Sequence, residues 1–253
     1  MDTRARTDEC VVLRGRDFGD ADRILVLLFR EHGKLSCIAK GVRRPKSRLK
    51  ASTQLFSYSR VTFSAGRGSL GVVTQGEAVD SLPALRDDLT SIACASYVGE
   101  LLDAVLPEGK KQENIFILAV TTLTLLAGAE DPFLILKYFE LRLLAELGYR
   151  PELERCVGCG RGVDAARFYI DPPRGGLLCR ACNGGDRRTA EISAGAVMTL
   201  ERLLRWNLRR IFNLRISPDA RREIDNALAA YLEYHLGSPA ARARANLSLY
   251  WQP

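Results

Sequence analysis

Four cysteines occur as two closely spaced pairs, and their spacing is that of a metal site. Cys156 and Cys159 form one Cys-x2-Cys pair, Cys179 and Cys182 form the other, and nineteen residues separate the two pairs. Two such turns bring four thiolates around one tetrahedral Zn²⁺ ion, at zinc–sulfur distances of about 2.3 Å. Because four protein ligands leave no position for an activated water, we predict one structural zinc ion rather than a catalytic one.

Two other interpretations of these pairs are a redox dithiol and a chance grouping of buried cysteines. A redox Cys-x2-Cys pair normally opens a helix in a βαβ unit, and the surrounding sequence shows no such unit. The segment between the pairs is typical of a short hairpin, and its turns are rich in glycine. A module of about thirty residues buries too little apolar surface to fold alone, so metal binding would stabilise it.

A strongly basic segment follows the third predicted strand. Residues 40–50 contain six positive charges and no acidic residue, and Gly41 and Pro45 favour a loop over a helical face. A solvated loop is the ordinary interpretation, but the density and single sign of the charge favour phosphate contacts. The aromatic residues Phe56, Tyr58 and Phe63 come next, and they suit base stacking and a barrel core equally well.

Further cations complete the predicted nucleic-acid surface. The predicted DNA-binding set consists of Lys34, Lys40, Arg43, Arg44, Lys46, Arg48, Lys50 and Arg67. A second basic cluster lies beside Trp206 on predicted helices and contains Arg202, Arg205, Arg209 and Arg210. This cluster is compatible with an extended nucleic-acid path and, equally, with a solvated helix face.

The sequence contains no recognisable catalytic constellation, and we expect a protein that is not an enzyme. Its two histidines, His32 and His235, are far apart in sequence, and no phosphate-binding GxxxxGK[ST] loop occurs. A GxGxxG pattern spans residues 66–71, but a strand-like sequence follows it where a dinucleotide-binding loop requires a helix. We therefore interpret these glycines as turn residues.

The elements that position these residues fall into an α+β fold. Residues 1–80 contain about five short strands, which favours an OB-fold barrel over an SH3-like barrel. Helical periodicity begins after Pro83 and resumes after the cysteine module. We thus predict an N-terminal OB-fold barrel and then a single helical bundle with an inserted four-cysteine zinc module. The predicted domains are 1–80 (OB-fold, nucleic-acid binding), 81–150 (first part of the bundle), 151–187 (zinc module) and 188–253 (second part of the bundle).

The overall composition indicates a globular protein of a reducing compartment. The chain of 253 residues carries a formal net charge of +7. Its N-terminus lacks the apolar segment of a signal peptide, and its longest apolar run is too short to span a membrane. The cysteines outside the pairs, Cys10, Cys37 and Cys94, lie in apolar patterns and are predicted to be inert buried residues. We therefore expect a cytoplasmic protein.

Three segments resemble the RecO family of bacterial recombination mediators. They are Phe139–Pro151 (FELRLLAELGYRP) followed by Cys156-x2-Cys159-Gly160, then Asp17–Leu25 (DFGDADRIL), and Lys40–Ser47 (KGVRRPKS). Each is only moderately specific, but their order and spacing extend the resemblance over essentially the whole chain. Some members of that family lack some or all of the cysteines, whereas this chain has all four.

The resemblance implies a function without bond-making chemistry. It implies binding to single-stranded and double-stranded DNA, annealing of complementary strands, and a nucleoid-associated location in the cytoplasm. It also implies partnership with RecR and recognition of single-stranded DNA-binding protein, whose displacement lets RecA load. A zinc-stabilised RNA-binding or ribosome-associated factor is the alternative that the residues themselves leave open.

Overall fold

The structure, a computed structural model, begins with five strands that close into a barrel. The strands are β1 (Arg6–Phe18), β2 (Asp22–Phe29), β3 (Gly33–Ala39), β4 (Tyr58–Ser64) and β5 (Gly71–Asp80). Their order around the barrel is β1-β2-β3-β5-β4; β3 and β5 are parallel, and the other neighbouring pairs are antiparallel. The predicted OB-type barrel is confirmed.

Alternation along the strands builds the barrel core. Leu25, Leu27 and Phe29 of β2 point inward at every second position and are at most 1% exposed. Cys37 and Ala39 do the same on β3. This period of two is the one that the sequence shows, because successive side chains of a strand point to opposite faces of the sheet.

The structure describes residues 5–64, 70–185, 189–206 and 208–251, except for the side chains of residues 208 and 209. Two compact units divide the chain. The first contains the residues up to Glu130 together with Asn246–Trp251, and the second contains Asp131–Ala245. In the described ranges, no helix is both long and apolar enough to cross a membrane.

Two helices pack on β1 of the barrel in the first unit. They are α1 (Leu89–Val105) and α2 (Glu113–Leu126). Asp88 caps α1, since its carboxylate accepts hydrogen bonds from the N–H groups of Thr90 and Ser91. Gly99 allows α1 to lie close to the barrel, because a Cβ atom there would lie 2.7 Å from the carbonyl oxygen of Leu13.

The second unit combines a small sheet with helices. Its elements are α3 (Phe133–Glu146), β6 (Glu152–Cys156), β7 (Arg167–Asp171), β8 (Gly176–Leu178), α4 (Arg180–Asn183), β9 (Ala190–Ser193), α5 (Ala194–Arg205), α6 (Leu208–Ile211), α7 (Pro218–Leu236) and α8 (Ser238–Ser248), whose last turn is counted with the first unit. The strands form a sheet in the order β6-β8-β7-β9. Within their own units, α1 and α2 pack on the barrel, and α3, α5 and α7 pack on one another.

A group of four charged residues, three of them buried, links α3, α7 and α8. Lys137 and Glu140 of α3 are 0% exposed, and Lys137 Nζ lies 2.8 Å from Glu140 Oε2. The same Nζ lies 2.8 Å from Asp225 Oδ1 of α7, and Asp225 also pairs with Arg244 of α8. Two positive and two negative charges therefore cancel, which is the condition under which charges are tolerated in a protein interior.

Candidate nucleic-acid surface and metal centre

The segment Lys40–Lys50, which we call the basic loop, is tied to the barrel at several points. Val42 is 3% exposed within the barrel core, and Leu49 packs against that core. Asp22 Oδ1 accepts a hydrogen bond of 2.7 Å from the N–H of Gly41. Within the loop, Arg44, Ser47 and Lys50 each donate a backbone N–H to a carbonyl three residues earlier. The basic loop is thus a folded series of turns with apolar anchors.

Five of the six cations of this loop project into solvent, and the described residues offer them no acidic partner. Lys40, Arg44, Lys46, Arg48 and Lys50 are all exposed. In the part of the chain that the structure describes, no ion pair involves any of these five side chains. An ordered loop with several unpaired cations is a suitable surface for phosphate groups, because each contact releases a condensed counterion.

Arg43 differs from the other cations of the basic loop. Its Nε lies 3.3 Å from Asp17 Oδ2, and its Nη1 donates to the carbonyl oxygens of Gly19 and Asp20 at 3.3 and 3.4 Å. Asp17 also pairs with Arg23 at 3.1 Å. Arg43 therefore joins the loop to the β1–β2 turn, and its charge is partly neutralised.

Two members of the predicted set, Lys34 and Arg67, stand apart from the exposed cations just described. Lys34 is 8% exposed; its Nζ donates to the backbone carbonyl of Asp103 and lies 3.3 Å from Asp103 Oδ1. Since a phosphate could reach it only by breaking this pair, we leave Lys34 out of the proposed surface. Arg67 lies outside the described residues, together with most of the GxGxxG segment, and Gly71 of that segment begins strand β5.

The aromatic residues after the basic loop belong to the interior. Phe56 is 2% exposed, and Phe63 is 6% exposed and packs on Phe29 at a ring distance of 4.4 Å. Tyr58 is half-buried, with its ring 6.1 Å from that of Phe116. Of base stacking and a role in the barrel core, burial therefore favours the core for Phe56 and Phe63.

The second basic cluster is largely engaged within its own unit. Arg202 lies over the ring of Trp206, 5.1 Å from the ring centroid. Arg205 pairs with Glu154 and, at 3.1 Å, with Glu201. The side chain of Arg209 is outside the described set, and Arg210 is exposed. These contacts weaken the case for a phosphate path along α5.

The four paired cysteines meet at one point of the second unit. Their Sγ atoms all lie within 4.8 Å of one another, and those of Cys159 and Cys179 are 3.9 Å apart. A tetrahedron with zinc–sulfur bonds of about 2.3 Å has edges of about 3.8 Å. The donor set and its spacing therefore fit one tetrahedral metal ion, as the sequence predicts.

Backbone donors prepare Cys156 for a metal. The N–H groups of Gly158 and Cys179 lie 3.4 and 3.3 Å from its Sγ. Burial raises the pKa of Cys156, but the N–H groups of Cys179, Cys159 and Gly158 outweigh this effect and lower the pKa to about 6. Contacts with the sulfurs of Cys179, Cys159 and Cys156 raise the pKa of Cys182 to about 12. A thiolate at Cys182 beside that of Cys156 is thus disfavoured unless a cation lies between the sulfurs.

The remaining cysteines are packing residues. Cys10, Cys37 and Cys94 are each 0% exposed, as predicted. Burial raises the pKa of Cys37 to about 12, and burial together with nearby Cys37 and Asp8 raises that of Cys10 well above its usual value. Cys10 and Cys37 are therefore protonated and unreactive at neutral pH.

Comparison with known proteins decides the family. A family model described as Recombination protein O N terminal matches residues 1–82, and one described as Recombination protein O C terminal matches residues 86–244. The chain belongs to the RecO family. The basic loop lies in the RecO N-terminal match, and the four-cysteine cluster lies in the RecO C-terminal match.

Curated RecO relatives cover nearly all of the chain. It is 44% identical to the DNA repair protein RecO of Symbiobacterium thermophilum over 88% of both chains. It is 41% identical to that of Pelotomaculum thermopropionicum, over 90% of this chain and 88% of the relative. It is 40% identical to that of Desulforudis audaxviator over 90% of both chains. The chain is thus a RecO-family DNA repair protein.

Proposed function

We propose that this chain is a DNA-binding recombination mediator that grips phosphates with the basic loop. The observation that carries the proposal is the set of five exposed cations on an ordered loop, none of which forms an ion pair with a described residue. Such a surface binds single-stranded and double-stranded DNA with little sequence preference and with a steep dependence on salt. Family membership supports DNA rather than RNA as the natural polymer.

Strand annealing follows from the same electrostatics. Two DNA strands repel each other, and a cationic surface that holds both of them lowers this barrier. No bond is made or broken, so we propose that the protein is not an enzyme. In this proposal it acts with RecR on single strands coated with single-stranded DNA-binding protein, so that RecA loads indirectly, in the nucleoid region of the cytoplasm.

The metal has a structural role in the proposed mechanism. We propose that Cys156, Cys159, Cys179 and Cys182 hold one zinc ion. Four protein ligands close the coordination sphere, so the ion supplies folding free energy to the sheet β6–β9 and no activated water. The metal centre and the basic loop lie in different units, and their contributions are separable by mutation.

The test is a comparison of two triple variants. Arg44→Gln/Lys46→Gln/Arg48→Gln removes three unpaired loop cations, and Arg155→Gln/Arg222→Gln/Arg242→Gln removes three exposed cations of the second unit. The loop variant should bind single strands more weakly, with a log–log salt slope lower by about 2, because each phosphate contact contributes about 0.7. It should also anneal more slowly strands coated with single-stranded DNA-binding protein.

The control variant should bind and anneal like the wild type. Equal losses of DNA affinity in both variants would show that only the net charge of the protein matters. Unchanged binding by the folded loop variant would show that the DNA-binding site lies outside the loop. Competition of the wild type between single-stranded DNA and RNA of the same sequence decides between the mediator and the RNA-binding alternative. Preference for RNA would overturn the proposal.

A further inference from the structure

Phe18, an aromatic residue of the first unit, is exposed to solvent. Phe18 is the last residue of β1 and is 49% exposed, directly before a turn in which Gly19 has φ +57°. A single exposed apolar side chain is common on protein surfaces and needs no explanation by itself. Its position relative to the basic loop is what makes Phe18 informative.

Strand register places Phe18 beside the attachment point of the basic loop. Phe18 pairs with Asp22 across the β1–β2 hairpin, so the two side chains lie on the same face with Cβ atoms about 5 Å apart. The carboxylate of Asp22 in turn accepts the N–H of Gly41 at 2.7 Å. The aromatic ring therefore lies next to the residue that holds the start of the loop.

Further bonds fix the turn and the loop to each other. The backbone N–H of Arg43 donates to the carbonyl oxygen of Ala21 at 2.9 Å, and its guanidinium donates to Gly19 and Asp20. The turn that carries Phe18 and the loop that carries the cations thus form one structural piece at one end of the barrel. A polymer whose phosphates contact the loop therefore passes the end of the barrel that carries Phe18, within reach of a base.

We propose that Phe18 stacks on an unpaired base of a strand held by the basic loop. The inference rests on the proposed nucleic-acid function and adds a preference for single strands. Stacking on an aromatic side chain is tolerant of sequence, because every base has a π face. Bases of a duplex are already stacked on their neighbours, so Phe18 contributes to single-strand binding and not to duplex binding.

The experiment measures affinities of Phe18→Ala, Phe18→Leu and Phe18→Trp for a thymidine 30-mer and for a 30-base-pair duplex. Phe18→Ala should lose about tenfold in affinity for the single strand, a change typical of one lost stacking contact. Its duplex affinity should change less than twofold. Phe18→Leu keeps apolar bulk without a π face and should also lose single-strand affinity, whereas Phe18→Trp should keep it.

A spectroscopic readout separates stacking from a structural effect. The thymidine oligomer should quench the fluorescence of the Phe18→Trp variant more than that of the wild type, which contains only Trp206 and Trp251. Equal loss of single-strand and duplex affinity in folded Phe18→Ala would overturn the inference, and so would unchanged single-strand affinity. A wild type that binds neither oligonucleotide would instead overturn the proposed function.

Discussion

Asp22 Oδ1 accepts a hydrogen bond from the N–H of Gly41 at 2.7 Å, and this bond joins the β1–β2 turn to the basic loop. The backbone of the loop is therefore held in place before a polymer binds, which lowers the entropy cost of binding.

Replacing Asp22 tests the value of this order. Asp22→Ala removes the acceptor, whereas Asp22→Asn keeps it and loses the same charge. We expect Asp22→Ala to bind single-stranded DNA a few-fold more weakly than Asp22→Asn, with an equal salt slope, and to be less stable by about 1 kcal/mol. Fluorescence anisotropy and denaturant unfolding measure the two effects; indistinguishable variants would show that the bond does not organise the loop.

Neutralising Asp17 should strengthen DNA binding. Its carboxylate pairs with both Arg23 and Arg43, so Asp17→Asn releases one cation beside the loop and one within it. Exposed pairs of this kind contribute about 0.2–1 kcal/mol. We expect DNA affinity to rise by about twofold to fivefold at low salt, with the gain shrinking as salt increases. Titrations at several salt concentrations check this, and weaker binding by a folded variant would contradict it.

Gly158 should be required for tight metal binding. A Cβ atom there would lie 3.0 Å from both Cβ and Sγ of Cys182, so Gly158→Ala must shift this metal ligand slightly. A Cβ atom at Gly162 would meet no heavy atom within 4 Å, and Gly162→Ala is the matched control. We expect Gly158→Ala to lower zinc affinity by about tenfold or more, as disturbed ligand surroundings do. Competition with a chromophoric chelator measures this; equal affinities in the two variants would be the contrary result.

Loss of the metal should affect stability and leave DNA binding by the loop largely unchanged. Cys156→Ser removes one of four ligands, so we expect loss of zinc and a lower melting temperature. DNA affinity should change less than twofold while the protein remains folded. Metal analysis, thermal unfolding and DNA titration on one preparation provide the measurement. Selective loss of DNA affinity in a folded variant would show that the metal module contacts DNA.

Acid should weaken the second unit through Asp225. Burial raises the pKa of Asp225, but the charges of Lys137 and Arg244 outweigh it and hold the pKa below the ordinary value of 3.8. A carboxyl whose pKa is lowered in the folded state stabilises the fold above that ordinary value. This contribution is lost as the pH falls through 3.8 toward the folded pKa.

The matching variant is Asp225→Asn, which leaves buried Lys137 with one carboxylate fewer. We expect the free energy of unfolding to fall by about 3 kcal/mol at pH 7, as for other broken buried pairs, and the difference from wild type to shrink below about pH 4. Asp219→Asn breaks an exposed pair with Arg222 and should cost less than about 0.5 kcal/mol. Denaturant unfolding between about pH 7 and about pH 2.5 measures both; a pH-independent difference would contradict the assignment.

Local patterns were sufficient to predict the barrel and the cysteine cluster. The alternation around Cys37 and the spacing from Cys156 to Cys182 are short-range signals, and the structure realises both. The position of Lys34 was not predictable in this way, because its partner Asp103 lies in a helix 69 residues away. The burial of Lys137 was equally unpredictable, because Asp225 of α7 and Arg244 of α8, which complete its charge group, are distant in sequence.

Phe18 was overlooked for a different reason. It lies in the polar turn segment DFGDAD, outside every apolar strand pattern. A lone aromatic residue in a polar turn segment is a signal of an exposed binding residue, and a search for strand periodicity does not detect it. Likewise, helical periodicity indicates that a helix buries one face but not which partner covers it, so the packing of α1 and α2 on β1 could not be predicted from it.

The first unit includes the distant segment Asn246–Trp251, so it cannot be produced whole as one continuous fragment of the chain. Asn246 Nδ2 donates to Glu100 Oε2 at 3.0 Å, and Leu247 is 4% exposed. An expression fragment that stops at Glu130 would omit this closing turn. A circularly permuted gene, or co-expression with a peptide covering residues 246–251, would restore it.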